Sequence, residues 1–268
     1  KILMTGAAGV VGTFLRNEFR GRYHLRLSDM TAIDDCGPDE EFVEADLSNL
    51  EATQNAVTGV EGIIHLGGYS VEGDWETLLN SNIIGTYNLF ESARIDGVKR
   101  VVFASSNHAI GFYERSQTID HTDTLRPDTR YGLTKAFGES LASLYVDKYS
   151  AEVMSIRIGN VAEKPIDVRR LSIWISPRDL AQLITIGLEH PDIKNEIVYG
   201  MSDNKRAWWD NSNAQRLGYA PQDRSEDYAA EVLAEHPADT GDALADARQG
   251  GDFVTAESII HPAKMDEH

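Results

Sequence analysis

Cysteine is almost absent from this 268-residue chain: Cys36 stands alone. No intrachain disulfide can therefore form, and no cysteine-based zinc site can be assembled. No apolar run reaches the ~18 residues that would span a bilayer. Basic residues are scarce as well, with 25 Lys and Arg against 43 Asp and Glu and a formal charge of −18. That balance argues against a protein built to grip a nucleic acid or an anionic membrane, since both require surplus Lys and Arg on one face. No clustered His, Cys and carboxylate spacing calls for a metal. No basic segment with a cleavable apolar stretch precedes the opening KILMTGAAG, so a cytoplasmic location is the expectation. The acidic excess, dense at Asp34, Asp35, Asp39, Glu40 and Glu41, suits an ordinary acidic protein or one adapted to high salt.

What is present is an alternation of short β-branched runs with longer amphipathic stretches. Ile2 to Thr5, His24 to Ser28, Phe42 to Ala45, Gly62 to Leu66, Arg100 to Ala104 and Glu152 to Ile158 read as strands. Helical patterns lie between most of them, as in the run Asn82 to Phe90. This order predicts an α/β fold in which a parallel sheet carries helices on both faces and binds ligands at the carboxyl ends of its strands. After Gly159 the alternation fades, leaving a helix at Pro177 to Glu189 and a strand at Glu196 to Tyr199. Residues 1–159 are expected to form the main domain, and 160–268 a small cap packed on it, with too few apolar residues for a separate core. Trp208 and Trp209 are expected mainly in core packing.

The first motif, Thr5-Gly6-Ala7-Ala8-Gly9-Val10-Val11-Gly12, joins the first strand to a helix. Gly6 and Gly9 let the backbone turn tightly and admit a pyrophosphate to the helix N-terminus, where the N–H groups near Val10 and Val11 favour an anion. Gly12 permits close packing of helix on strand. The G-x-x-G-x-x-G spacing differs from the commonest dinucleotide fingerprint, and context strengthens it. Asp29 ends the second strand about 20 residues on, where a carboxylate accepts hydrogen bonds from an adenosine ribose. Its charge would repel a 2′-phosphate, and Met30-Thr31-Ala32-Ile33 supplies no Arg to hold one; NAD is expected over NADP. Asp46-Leu47 and Leu66-Gly67-Gly68, at the ends of the third and fourth strands, belong to the same site. His65 reads as a core histidine.

The second motif is Tyr131-Gly132-Leu133-Thr134-Lys135, which opens a helix. Residues four apart share a helix face, so Tyr131 and Lys135 can enter one cleft. There the ammonium would favour the phenolate and lower the Tyr131 pKa. Ser106, in Phe103-Ala104-Ser105-Ser106-Asn107-His108, lies near the carboxyl edge of the fifth strand, placed to hold the oxygen being oxidised. Asn107 and His108 are placed to read neighbouring hydroxyls.

With these motifs the chain resembles the extended short-chain dehydrogenase/reductase superfamily over residues 1 to about 200. The resemblance implies a Rossmann-type doubly wound sheet with a small C-terminal substrate-binding cap. It also implies a catalytic set of Ser106, Tyr131 and Lys135, with Lys135 also holding the cofactor, and an Asn82 that braces the sheet. More narrowly, HLGGYSVEG, FASSNHAIGFY, RIGNVAEKPIDVRRLSIW and WWDNS resemble bacterial uronate dehydrogenases, which oxidise C1 of glucuronate or galacturonate with NAD to an aldaric acid lactone. That likeness implies Arg169 as the carboxylate-binding arginine, with Arg170 its neighbouring rival, and Ser70 and Asn160 as further substrate contacts. Homo-oligomers are common in the superfamily. Another sugar dehydrogenase or epimerase of this group, or an NAD-sensing protein without catalysis, stays open as an alternative.

Overall fold

A computed structural model of the chain describes residues 1–236 and 240–256; the parts of the expected cap at 237–239 and 257–268 lie outside the described residues. Seven parallel strands form the central sheet: β1 (Ile2–Thr5), β2 (Leu25–Asp29), β3 (Glu40–Glu44), β4 (Gly62–His65), β5 (Arg100–Ser106), β6 (Glu152–Ile158) and, late in the chain, Asn195–Gly200. Their spatial order is β3-β2-β1-β4-β5-β6 followed by that last strand. The chain thus reverses direction across the sheet between β1 and β4, the crevice where doubly wound folds bind dinucleotides.

Alternate side chains of each strand serve opposite faces. Met4, Leu27, Ile64, Val102 and Met154 pack beneath α1 (Val10–Glu18) and the later helix Pro177–Glu189. Leu3, Ile63, Val101, Phe103 and Val153 pack beneath α2 (Leu50–Val57), α4 (Gly85–Asp96) and α5 (Arg130–Tyr149). Both faces are buried, which is why these strands read as continuous apolar runs.

Two departures from the sequence reading bear on the site. β5 runs to Ser106, two residues beyond the expected end, because its pairing with β6 continues to Ser106 opposite Ile158. Between α3 (Trp75–Leu78) and α4, residues Leu79–Ile84 form a π-helical turn that overlaps the start of the expected helical run Asn82 to Phe90. There the Asn82 amide accepts from the Tyr69 N–H at 2.7 Å and donates to the Tyr69 carbonyl and the Thr134 hydroxyl, both at 2.9 Å. Asn82 thus braces the loop after β4 against α5, rather than the sheet.

Beyond residue 160 come β7 (Asn160–Val161), α6 (Arg170–Ile173), β8 (Trp174–Ile175), α7 (Pro177–Glu189), β9 (Asn195–Gly200), α8 (Ser212–Arg216), α9 (Ala229–Glu235) and α10 (Ala243–Ala247). Of these, α7 and β9 belong to the sheet layers, so the second part of the chain completes the core as well as covering its edge. Trp209 is buried, stacked on Tyr199 at 5.0 Å. Trp208 packs partly buried beside it, beneath the Arg115 guanidinium.

Candidate active site

The glycine loop sits at the topological crossover. Gly6 has φ +67°, and a Cβ there would lie 2.8 Å from the Gly67 nitrogen, so the loop presses directly on the end of β4. A Cβ on Gly12 would lie 2.5 Å from the Ala7 carbonyl oxygen, which lets α1 lie against the loop. Gly9 caps α1 without a side-chain hydrogen bond, and the first turn holds no acidic residue. Among the described residues, a Cβ at Gly9 would touch only the Gly6 carbonyl, at 3.3 Å, and otherwise enter open space. Unpaired N–H groups facing open space at a helix N-terminus fit a pyrophosphate. Asp29 accepts from the Ala8 N–H and the Thr31 N–H, each at 3.0 Å, one bond on each oxygen. Every carboxylate oxygen has a second lone pair, so both can still accept from a ribose. Met30 is exposed beside it, as are Val10 and Asp46. Asp46 bonds the Ser48 N–H, while Leu47 is half-buried and its side chain lies where a Cβ on Gly67 would go. Leu66 is half-buried behind them. These residues fit NAD. His65 is a core residue, its ring held between the Thr5 and Thr86 hydroxyls and its pKa pushed down to about 3 by burial.

Tyr131 opens α5, and the local sequence explains its position. Thr129 caps the helix by accepting from the Gly132 N–H at 3.0 Å, and Glu72 accepts from the Tyr131 N–H at 2.9 Å. Gly132 has no side chain where a Cβ would stand 2.2 Å from the His108 carbonyl. The helix start therefore lies directly on the segment that follows β5, and the Tyr131 hydroxyl meets Ser106. Lys135 is one turn on, its ammonium 5.7 Å from the Tyr131 ring centre and donating to the Ala104 carbonyl at 2.9 Å.

The electrostatics of this pair correct the sequence reading. Burial pushes Tyr131 up to about 12, outweighing the Ser106 hydrogen bond that favours the phenolate. Burial also pushes Lys135 down to about 8. Both groups are held toward their neutral forms, because desolvation penalises either charge. Helix spacing brought the two together but carried no information on their enclosure.

Ser106, Asn107, His108 and Tyr131 line a cleft of about 490 Å³ together with Ser70, Asn160 and Arg169. All seven expected substrate contacts thus open on one space. The Asn107 amide donates to the Ile158 carbonyl at 3.2 Å and accepts from Arg169 Nη2 at 3.0 Å. His108 Nδ1 meets the fully buried Asp128 carboxylate at 2.7 Å. Burial holds the imidazole below the ordinary histidine range despite Asp128. A neutral ring facing a carboxylate carries its proton on Nδ1, leaving Nε2 as an acceptor. Asn160 buries a carbonyl oxygen that has no partner among the described residues, and Ser70 is exposed at the cleft.

Arg169 and Arg170 both line the cleft but differ in pairing. Arg170 is bound to Asp167. Arg169 pairs with no carboxylate among the described residues; its Nε and Nη2 donate to the Gln249 carbonyl at 3.0 and 2.7 Å. Desolvation and the neighbouring Arg170 and Arg115 push its pKa down to about 10. A positive group enclosed without a counter-ion is suited to receive an anion. The sequence reading missed Glu72, Asp128, Gln249 and Phe253. Phe253 stacks on the His108 ring at 3.8 Å. Nothing local in the sequence marks these four, since each acts on a residue more than fifteen positions away.

A parallel sheet with this crossover, a glycine loop and a Ser, Tyr and Lys set define a dinucleotide-binding class. The chain belongs to the NAD dependent epimerase/dehydratase family, whose pattern it matches over residues 2–208. It is 46% identical to a uronate dehydrogenase of Pseudomonas syringae pv. tomato, over 96% of this chain and 94% of that protein. Among solved structures it is similar to a glucuronic acid dehydrogenase from Chromohalobacter salexigens, with TM-score 0.92, 44% identity and coverage of 95% and 96% of the two chains. A mutant uronate dehydrogenase from Agrobacterium tumefaciens, complexed with NAD, matches with TM-score 0.91 and 41% identity over 95% and 96%. The chain groups with the uronate dehydrogenases of its family. Among its described residues, no helix is long and apolar enough to cross a membrane.

Proposed function

We propose that this protein oxidises C1 of a cyclic hexuronic acid, glucuronate or galacturonate, with NAD, and releases the aldaric acid lactone. The observation that carries this reading is one cleft holding both a Ser106–Tyr131 pair and an arginine that has no carboxylate partner among the described residues. The first suits an alcohol being oxidised and the second a substrate carboxylate.

When bound, NAD supplies the hydride acceptor, and its positively charged nicotinamide favours a nearby phenolate. Gly6, Gly9 and the start of α1 would hold its pyrophosphate, and Asp29 its adenosine ribose. Asp46, Leu47, Leu66 and Gly67 would line its path, and Lys135 would reach the nicotinamide ribose. Ser106 holds the C1 hydroxyl, and Tyr131 removes its proton as general base. The C1 hydrogen leaves with its electron pair, and C1 with its exocyclic oxygen becomes the carbonyl of the lactone. Lys135, bound to the Ala104 carbonyl, stabilises the phenolate once the site is charged. Asn107 and His108 read ring hydroxyls, the latter through Nε2. Arg169, with Ser70 and Asn160, takes the carboxylate end and so orients C1. The overall charge of −18 repels an anionic substrate, so recognition rests on these local cations.

The test is initial-rate NADH formation with glucuronate, galacturonate and the matching neutral aldohexoses. Turnover confined to the uronates supports the reading. Equal rates on the neutral sugars would remove the carboxylate from it, and the absence of turnover on any of them would leave a binding protein.

A further inference from the structure

From Gln249 to Phe253 the chain crosses between the loop after β5 and the cleft. Gln249 is fully buried. Its side chain accepts from Trp209 Nε1 at 2.9 Å and donates to the Glu114 and Gln117 carbonyls at 3.1 and 3.0 Å. Its backbone N–H donates to the Tyr113 carbonyl at 2.9 Å, and the next residue, Gly250, donates to the Gly111 carbonyl at 2.8 Å. Every polar atom of Gln249 is thus engaged, and its own carbonyl receives two of the five N–H groups of Arg169. Asn107 takes a third. The two hydrogens on Nη1 have no acceptor among the described residues.

Gly251 also lies against Arg169. It lies at φ +63°, and a Cβ there would stand 2.6 Å from Arg169 Nε. No side chain would fit between this backbone and the guanidinium. Because the group that holds Arg169 is a neutral carbonyl, the full positive charge stays available to a ligand, where an Asp or Glu would have neutralised it.

We infer that Gln249 is a positioning residue for carboxylate recognition: by anchoring its own backbone through three side-chain hydrogen bonds, it presents the Nη1 edge of Arg169 to the substrate. The inference rests on the proposed role of Arg169. It accounts for a glutamine buried beside the cleft, a position where leucine would pack at less polar cost. It also accounts for Gly251, which gives up a side chain where the strap passes Arg169.

The experiment measures KM and kcat for glucuronate, and KM for NAD, in Gln249→Leu, Gly251→Ala, Arg169→Met and each of the first two combined with Arg169→Met. Where KM exceeds solubility, kcat/KM is taken from the initial slope. A misplaced hydrogen bond to a charged group costs about tenfold in affinity or more. Gln249→Leu and Gly251→Ala should therefore raise the glucuronate KM by about tenfold, with kcat and the NAD KM within about twofold. In the Arg169→Met background neither should add more than about twofold, as expected for residues acting through one partner. Gly251→Ala leaves the Trp209, Glu114 and Gln117 bonds intact, so it carries the test if Gln249→Leu does not fold. If Arg169→Met leaves the glucuronate KM unchanged, the reading of Arg169 falls. If Arg169→Met raises it but the strap variants do not, or if they cost the same in both backgrounds, the role of Gln249 is overturned.

Discussion

Replacing Lys135 with methionine should make the cofactor-free protein more stable at neutral pH while removing its activity. Lys135 is 7% exposed, has no carboxylate partner among the described residues, and there makes one hydrogen bond, to the Ala104 carbonyl, with its ammonium over the Phe103 and Tyr131 rings. Burial lowers its pKa from the ordinary 10.5 to about 8. At pH 7 the lysine is protonated in both folded and unfolded chains, so the folded state bears the whole cost of enclosing the charge, roughly 3 kcal/mol. Losing the bond to Ala104 returns about 1 kcal/mol. A net gain of about 2 kcal/mol remains, equivalent to a rise in Tm of roughly 4–8 °C for a chain of this size. Between pH 8 and 10.5 the unfolded chain holds more protons at this site, so the wild-type protein gains stability from it as pH rises. The gap between wild type and variant should therefore narrow over that window and vanish or reverse above it. Thermal or urea denaturation of both proteins without NAD, at steps from pH 7 to 10, measures this. A Lys135→Met protein less stable at pH 7, or a gap that does not move with pH, would refute the reasoning. The outcome expected is a site that keeps a costly charge because the chemistry needs it.

Tyr131→Phe should lower kcat by at least about 100-fold, the range of general acid–base contributions, while NAD affinity by titration stays within about twofold; near-normal turnover would remove Tyr131 as the base. Arg157→Met strands the Glu139 carboxylate, which Arg157 holds at 3.0 and 2.9 Å with both side chains almost wholly buried. It should cost about 3–5 kcal/mol in urea denaturation, and Arg157→Met with Glu139→Leu should recover most of that. A single-variant loss under about 1 kcal/mol would contradict the picture of a buried, mutually dependent pair. Gly12→Ala brings a methyl to 2.5 Å from the Ala7 carbonyl. It should destabilise by about 1–3 kcal/mol and raise the NAD KM; an unchanged Tm and KM would mean that α1 does not need its close approach to the loop.

The fold was legible because parallel strands buried on both faces announce themselves as apolar runs. Ile2–Thr5, Glu152–Ile158 and Pro177–Glu189 fall where periodicity alone puts them. The other strands shift by one to a few residues, since pairing partners rather than propensity decide where a strand stops, as Ile158 does for Ser106. The π-helical turn at Leu79–Ile84 was not legible. The Asn82 side chain within it bonds the Tyr69 backbone and the Thr134 hydroxyl, partners that lie in two other segments.

Local sequence determined where the polar groups of the site stand along the chain: a glycine loop between strand and helix, Asp29 at a strand end, Ser106 near another, and Tyr131 and Lys135 one helical turn apart. Those are short-range relations, and backbone geometry carries them directly. Tertiary structure decided the rest. Enclosure, a property of the whole fold, sends Tyr131 up and Lys135 down in pKa, where spacing alone argued for a lowered tyrosine. Residues far apart in sequence complete the cleft: Asp128 at His108, Phe253 stacked upon it, and the Gln249 carbonyl on Arg169. The physical reason is that hydrogen bonding and desolvation act over a few ångströms of space, whatever the distance along the chain.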